Sequence, residues 1–118
     1  MPELHKNSEA PVKLHVRALI PCRVEPGMFP NEWLVFIDAA DPKNPGQTFE
    51  VQMFAADREV PRLEGTPTRG HPVNGWVRVS RAKIENGLAL ILLPQFAQPV
   101  GTYLLIDKDK VLEEEATL

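Results

Sequence analysis

The sequence predicts an all-β domain, either a six-stranded barrel or a sandwich of two meanders, built from two similar three-stranded halves. Twelve prolines divide the 118 residues into short segments, and proline is disfavoured in helix interiors and central strands. Several segments alternate apolar and polar residues with a period of two, which is typical of half-buried strands. The pattern of VRALIPCRVEPG (16–27) returns as WVRVSRAKIENG (76–87), so we expect a repeated unit.

The six strands can be justified in chain order. The first alternates, the second is an apolar run too short for an ordinary core helix, and the third alternates again. The second half follows the same order, with a proline-containing loop at 95–101 before its last strand. No helix longer than about three turns is expected. The predicted strands are 12–24, 33–39, 48–54, 76–84, 88–93 and 102–107.

The remaining segments complete a single-domain prediction for residues 1–118. We expect a loose N-terminus at 1–10, a first half at 11–60, a surface linker at 61–75 and a second half at 76–112. The linker is rich in turn residues and has no periodicity. The acidic tail at 113–118 is expected to be solvated, with one or two helical turns as the alternative.

Composition limits the compartment and the partners. The 43% apolar and 25% charged fractions are those of a soluble globular protein. No stretch approaches the ~20 apolar residues of a transmembrane helix, and the polar start lacks the apolar centre of a secretory signal, so we expect a cytoplasmic protein with no membrane partner. A net charge of −3 disfavours nucleic acid as a partner. The single cysteine, Cys22, cannot form an intramolecular disulfide and is expected to be buried.

Motifs for catalysis or metal binding are absent from the sequence. Candidate metal ligands such as His15, His71 and Cys22 are not at paired spacings, and no nucleotide-binding or nucleophile motif occurs. We therefore predict no catalytic residues, no metal and no cofactor. The alternative is an enzyme or small-ligand carrier with a pocket between the halves, to which His71, Arg69 and Asp57 would contribute.

Two carboxylate pairs have ordinary structural explanations. Asp38 and Asp41 flank a segment containing proline and asparagine, which is typical of turn chemistry. Asp107 and Asp109 alternate with lysines, as expected for a solvated strand end. Neither pair indicates acid–base catalysis.

Basic residues on the two repeated first strands suggest a second kind of site. If these strands meet in a barrel, five basic residues would come together: Arg17, Arg23, Arg78, Arg81 and Lys83. The candidate set for an anionic ligand or single-stranded nucleic acid is Arg17, Arg78, Arg81, Trp76 and His71. The alternative is a solvated strand face. In that case nearby acids neutralise the arginines; the candidates are Glu25, Glu50 and Glu85.

The two halves differ most between their first and second strands. The first half carries five extra residues, 28–32, where the second passes directly from Gly87 to Leu88. A hairpin needs only a short turn, so this loop is a candidate for partner binding through Met28 and Phe29, with Trp33 beside them. The alternative is that Met28 and Phe29 fold back and plug the barrel end.

The middle strand of each half is apolar on both faces. An antiparallel sheet needs only one apolar face, so the surplus at 33–37 and 88–93 favours a homodimer. We therefore predict a non-catalytic binding or protein-interaction module that forms a homodimer and contacts a protein partner through the 28–32 loop.

Overall fold

The computed structural model describes residues 15–114, which form an all-β barrel. All six predicted strands are confirmed, and positions 12–14 of the first one lie outside the described residues, as does the predicted loose N-terminus. Single-turn 3-10 helices at Asp57–Glu59 and Lys108–Lys110 are the longest helical elements in the described range. The strands are β1 Val16–Pro26, β2 Glu32–Ala40, β3 Thr48–Ala56, β4 Arg62–Leu63, β5 Val73–Glu85, β6 Leu88–Gln98, β7 Gly101–Asp107 and β8 Leu112–Glu113.

Two antiparallel meanders, β1–β2–β3 and β5–β6–β7, make up the barrel. Their first strands pair with each other from Val16↔Arg81 to Val24↔Val73. At the far side β3 pairs with β6, where Met53 lies opposite Ala97, and this pairing closes a five-stranded barrel of β1, β2, β3, β6 and β5. Strand β7 extends the sheet beside β6 and packs near β2.

The two halves are alike beyond the meanders. Each third strand runs into a 3-10 turn and then into a two-residue strand. The first of these, β4, pairs with β5, and the second, β8, pairs with β1. Each half therefore ends by adding a short strand to the first strand of the other half. The similar sequences ADREV and DKDKV form the two turns.

The predicted linker at 61–75 is more structured than expected. It contains β4 and the first residues of β5, and Leu63 packs against the core. A Cβ on Gly75 would lie 2.8 Å from the Arg62 carbonyl oxygen, so glycine permits β4 to approach β5 closely. Most linker residues are exposed, and the short pairing of β4 was not expected because its partner strand, β5, follows it in the chain.

The prediction of a loop at 95–101 is wrong for residues 95–98, which belong to a strand. Strand β6 continues through Pro94 to Gln98, and only Pro99 and Val100 separate it from β7. The β6–β7 register shifts between Leu92 and Ala97, where Pro94 cannot donate a ladder hydrogen bond. The proline therefore accompanies an irregularity within the strand instead of ending it.

The core consists of the inward-facing residues of both meanders. Strand β1 contributes Ala18, Ile20, Cys22 and Val24, in the alternation that the sequence predicts. Burial raises the pKa of the Cys22 thiol to about 12, so it remains protonated near neutral pH and behaves as a small hydrophobe. The largest fully buried side chains are those of Ile20, Ile37, Met53, Ile91, Val24, Val35, Val51 and Val77.

Candidate functional site

The loop between β1 and β2 is held by hydrogen bonds from its own residues. The Glu32 carboxylate Oε1 accepts the backbone N–H groups of Met28 at 2.9 Å and Phe29 at 3.2 Å. The Gly27 N–H donates to the Glu32 carbonyl oxygen at 2.8 Å. Because the loop backbone is tied to the first residue of β2, its two large apolar side chains project from a defined position.

Asp57 joins this loop to the end of β3. Its backbone N–H donates to the Asn31 carbonyl oxygen, and its carboxylate accepts the indole N–H of Trp33, both at 2.9 Å. Trp33 is half-buried and packs against the core. Of the three predicted partner-binding residues, Trp33 therefore anchors the loop to the barrel, whereas Met28 and Phe29 lie at the loop's surface.

The side chains of Met28 and Phe29 are 72% and 66% exposed. The interpretation of these residues as a plug for the barrel end was therefore wrong. Two further aromatic residues on neighbouring strands are also exposed: Phe54 on β3 at 43% and Phe96 on β6 at 68%. Phe54 follows Glu50 and Gln52 on the polar face of an alternating segment, so its exposure could have been predicted from the sequence. Phe96 lies in the segment that was wrongly predicted as a loop.

We call these four exposed side chains on adjoining elements the apolar tip: Met28, Phe29, Phe54 and Phe96. A groove of about 320 Å³ is lined by Phe29, Phe54 and Gln95 among others. The β3–β6 register pairs Gln52 with Gln98 and Met53 with Ala97. Phe96 precedes Ala97 on the strand beside β3, and its ring lies close to Gly101 at the start of β7.

A second apolar surface covers the outer side of β6 and β7. We call it the leucine face, and its members are Leu88, Leu90, Leu92, Tyr103 and Leu105. Leu90 pairs with Leu105, and Leu92 pairs with Tyr103, which is 51% exposed. A groove of about 250 Å³ runs between these leucines, Lys83 and Glu85. The outward leucines are the second apolar face that the sequence predicts for the segment 88–93.

The predicted arginine site lies at one end of the β1–β5 ladder, and carboxylates of the chain's own C-terminal segment contact it. Arg78 donates from Nε at 3.1 Å and Nη2 at 3.2 Å to the two Glu114 carboxylate oxygens. Arg81 Nε donates to Glu113 at 2.7 Å, and Arg17 Nε lies 3.9 Å from Glu114. Two of the suggested acids pair with other members of the basic set, Glu50 with Arg23 at 3.2 Å and Glu85 with Lys83 at 3.6 Å, whereas the acids on Arg78 and Arg81 were not anticipated.

For the described part of the tail, the helical alternative is wrong, whereas Glu113 is exposed, as expected for a solvated end. Leu112–Glu113 is a strand, and the pKa of Glu114 is held below its ordinary value, chiefly by the hydrogen bond from Arg78, with Arg17 and Arg62 adding to the effect. The same contact raises the pKa of Arg78. Residues 115–118 lie outside the described range.

His71 lies apart from the arginines, whereas Trp76 lies two residues before Arg78 on the same face of β5. Trp76 is half-buried between Pro21 and Arg62 in the sheet. His71 is exposed in the turn at 68–71, beyond the opposite end of the ladder. At about 3.3 Å per residue, the eight steps from Val73 to Arg81 span roughly 26 Å. The structure therefore divides the predicted ligand set into separate places.

A groove of about 340 Å³ lies between β2 and the end of β7, and we call it the seam groove. Buried Cys22 and Ile106 form part of its lining, together with Asp38 and Lys110. Arg23, at its edge, lies 3.0 Å from Asp38 and 3.2 Å from Glu50. The residues proposed for a pocket between the halves, His71, Arg69 and Asp57, line neither this groove nor the two described above.

Both carboxylate pairs have structural roles. The Asp41 carboxylate accepts the Lys43 backbone N–H at 2.9 Å and the Asn44 side-chain amide at 2.8 Å, contacts that lower its pKa. Asp107 accepts the Asp109 backbone N–H at 2.9 Å and so caps the second 3-10 turn. Within residues 15–114, no three His, Cys, Asp or Glu side chains are grouped so that they could hold a metal ion.

Comparisons with known proteins give no functional assignment. No protein-family model matches the chain, and neither a curated protein nor a solved structure is significantly similar to it. None of the helices in the described range has the length and hydrophobicity needed to cross a membrane.

Proposed function

We propose that this protein is a non-catalytic β-barrel module that binds a protein partner through the apolar tip. The proposal depends on one observation: four large apolar side chains on adjoining elements are 72%, 66%, 43% and 68% exposed. Contiguous exposed apolar surface commonly marks an interaction site, and methionine and aromatic residues are enriched in interface cores.

The loop of the apolar tip is held by hydrogen bonds within the chain. Glu32 and Asp57 fix the loop through four hydrogen bonds between 2.8 and 3.2 Å: two to the Glu32 carboxylate, one to the Glu32 carbonyl oxygen and one from the Asp57 N–H to Asn31. Binding to an ordered loop costs less conformational entropy than binding that must first order it. The rim of the groove carries Glu32 and Gln95, so a partner with apolar anchors and hydrogen-bond donors around them is complementary.

Site-specific photocrosslinking tests this proposal. A photoreactive amino acid at position 29 of the full-length chain, expressed in its source cells, should give a discrete protein adduct. The same amino acid at Lys43, in an exposed turn away from the tip, should not. The crosslinked protein, once purified, should bind the unmodified chain, and Phe54→Ser should weaken that binding at least about tenfold (1.4 kcal/mol). Equal adducts from both positions, or unchanged affinity in Phe54→Ser, would contradict the proposal.

Self-association through the leucine face is a second candidate function. Lys83 and Glu85, 3.6 Å apart, border this face and give it a charged rim. A homodimer with two-fold symmetry would cover the leucines. Sedimentation should show a dimer for the natural chain and a monomer for Leu90→Lys. A natural chain that stays monomeric at high concentration would exclude this contact.

The two remaining interpretations have weaker support. For a nucleic-acid surface, Arg78 and Arg81 would first have to leave Glu114 and Glu113. For a small-ligand carrier, the seam groove is at the lower end of the usual volume range, and Arg23 at its edge is held by two carboxylates.

A further inference from the structure

One buried apolar residue lies outside the barrel core. Leu19 is 4% exposed, yet it is absent from the core cluster that contains its neighbours Ala18 and Ile20. Since successive strand residues point to opposite faces, Leu19 lies on the outer face of β1. Its cross-strand partners are Arg78 on one side and Leu112 of β8 on the other. The C-terminal segment therefore covers an apolar position on the outside of the barrel.

The same segment places two carboxylates in two different contacts. Glu113 meets Arg81 at 2.7 Å, and Glu114 forms a two-bond contact with Arg78. Adjacent residues of an extended chain point in opposite directions, so each acid finds an arginine on its own side. The Glu114 N–H also donates to the Arg17 carbonyl oxygen at 2.9 Å, which continues the backbone pairing.

The edge of β1 thus recognises a short extended segment by three features. They are a backbone ladder, an apolar contact at Leu19, and arginines placed for two consecutive acids. Addition of an extended peptide to a sheet edge is a common recognition mode, in which the backbone supplies affinity and the side chains supply specificity.

The resident segment is held by few residues. Strand β8 contains two residues, and Leu112 is 44% exposed. The salt bridges to Arg78 and Arg81 involve partly exposed carboxylates, and such pairs contribute little stability individually. Short terminal elements with few buried contacts open locally at low free-energy cost.

We propose that the β1 edge from Arg17 to Leu19, together with Arg78 and Arg81, is a docking site for an extended acidic segment of a partner protein. The recognised pattern is an apolar residue followed by two acids, and the chain's own Leu112–Glu114 occupies the site in competition with the partner. The site shares no residue with the apolar tip, so it stands independently of the function proposed above.

Peptide binding to the full-length chain tests the competition. The probe is a fluorescent peptide with the sequence of residues 109–114, DKVLEE, titrated into the natural chain and into the Glu113→Gln/Glu114→Gln variant. The attached segment competes at an effective concentration in the millimolar range, so weakening it should tighten peptide binding at least about tenfold. Adding Arg78→Gln to that variant should abolish the gain, and a DKVLQQ peptide should bind neither chain.

Two further measurements serve as controls, one for specificity and one for the case in which the double variant does not fold. Glu85→Gln removes a carboxylate from an ion pair outside the site and should leave peptide affinity unchanged. If the double variant does not fold, excess DKVLEE added to the natural chain should shift the NMR signals of Leu112 and Glu113 but not those of Lys43 and Asn44, in the turn between β2 and β3. Equal peptide affinity in the natural chain and a folded double variant, or absence of these shifts, would overturn the proposal. Binding of a single-stranded oligonucleotide in place of the peptide would also overturn it.

Discussion

The hairpin that joins the first and second strands differs between the two halves. In the second half, Asn86 and Gly87, with φ of 55° and 79°, form a two-residue turn of the type that matches the twist of paired strands. In the first half, five residues at 27–31 lie between β1 and β2 and carry exposed Met28 and Phe29. A two-residue turn is sufficient for the scaffold, so the additional residues of the first hairpin are available for binding.

The outer faces of the halves differ in a corresponding way. On β1, β2 and β3, Arg23 lies between the carboxylates of Asp38 and Glu50, and this outer surface is charged. On β6 and β7 the equivalent outer surface is the leucine face. The common architecture thus carries an outer apolar face on the second half alone, whereas the apolar tip combines Met28, Phe29 and Phe54 of the first half with Phe96 of the second.

The largest expected effects test whether the halves are equivalent as scaffold. Ile37 on β2 and Ile91 on β6 are fully buried at the centres of the two middle strands. Ile37→Ala and Ile91→Ala should each lower the free energy of unfolding by about 2–5 kcal/mol, because each leaves a cavity in the common core. Urea denaturation measures both. A cost below about 1 kcal/mol for one of them would break the equivalence.

Smaller effects are expected at the two hairpins. Asn31 and Asn86 both have a positive φ, at 64° and 55°. Alanine at either position should cost about 1–2 kcal/mol, since the left-handed conformation crowds its Cβ. Glycine relieves that crowding, so Asn31→Gly and Asn86→Gly are the matched controls and should be nearly neutral in thermal denaturation. If alanine and glycine behaved alike at Asn31, the tip loop would be less ordered than its hydrogen bonds imply.

The contact between Glu114 and Arg78 should contribute less to stability than the two hairpin residues do. Glu114→Gln should lower stability by about 0.5–1 kcal/mol at neutral pH, since Glu114 and Arg78 are partly exposed. The pKa of Glu114 is lowered in the folded chain, so this contribution is present above its ordinary value of 4.5 and is lost as the pH falls through the lowered value. The stability difference between the two chains should therefore disappear in acid. A difference that is constant from neutral pH to strong acid would show that the carboxylate charge is not its source.

The strands were predictable from the sequence because their signals are local. Alternation in 12–24 and 48–54, and short apolar runs between turn residues, locate strands without knowledge of their partners. Strands β4 and β8 were not predictable in this way, since two residues carry no periodicity and their pairing depends on edges of β5 and β1 that exist only in the folded barrel. Pro94 was misread for a related reason, because the register shift around it is a property of the pair β6–β7.

The candidate surfaces were predictable to a similar extent. Comparison of the halves identified Met28 and Phe29, whose loop is an addition to a repeated pattern. Phe54 and Phe96 come from separate halves, and only the β3–β6 pairing brings their strands side by side. Grouping of Arg17, Arg78 and Arg81 followed from the predicted meeting of the first strands, but their pairing with Glu113 and Glu114 required the return of the C-terminus to β1.

The smallest expected effect on stability provides the most direct test of the apolar tip as a binding surface. Met28→Ala/Phe29→Ala should change the free energy of unfolding by less than about 1 kcal/mol, because both side chains are largely exposed. The same double variant should lose at least about tenfold in affinity for the protein crosslinked from position 29. Thermal unfolding and partner binding are both measured on the natural chain and on this double variant. A loss of several kcal/mol in stability with partner affinity intact would contradict the account and assign the loop a structural role.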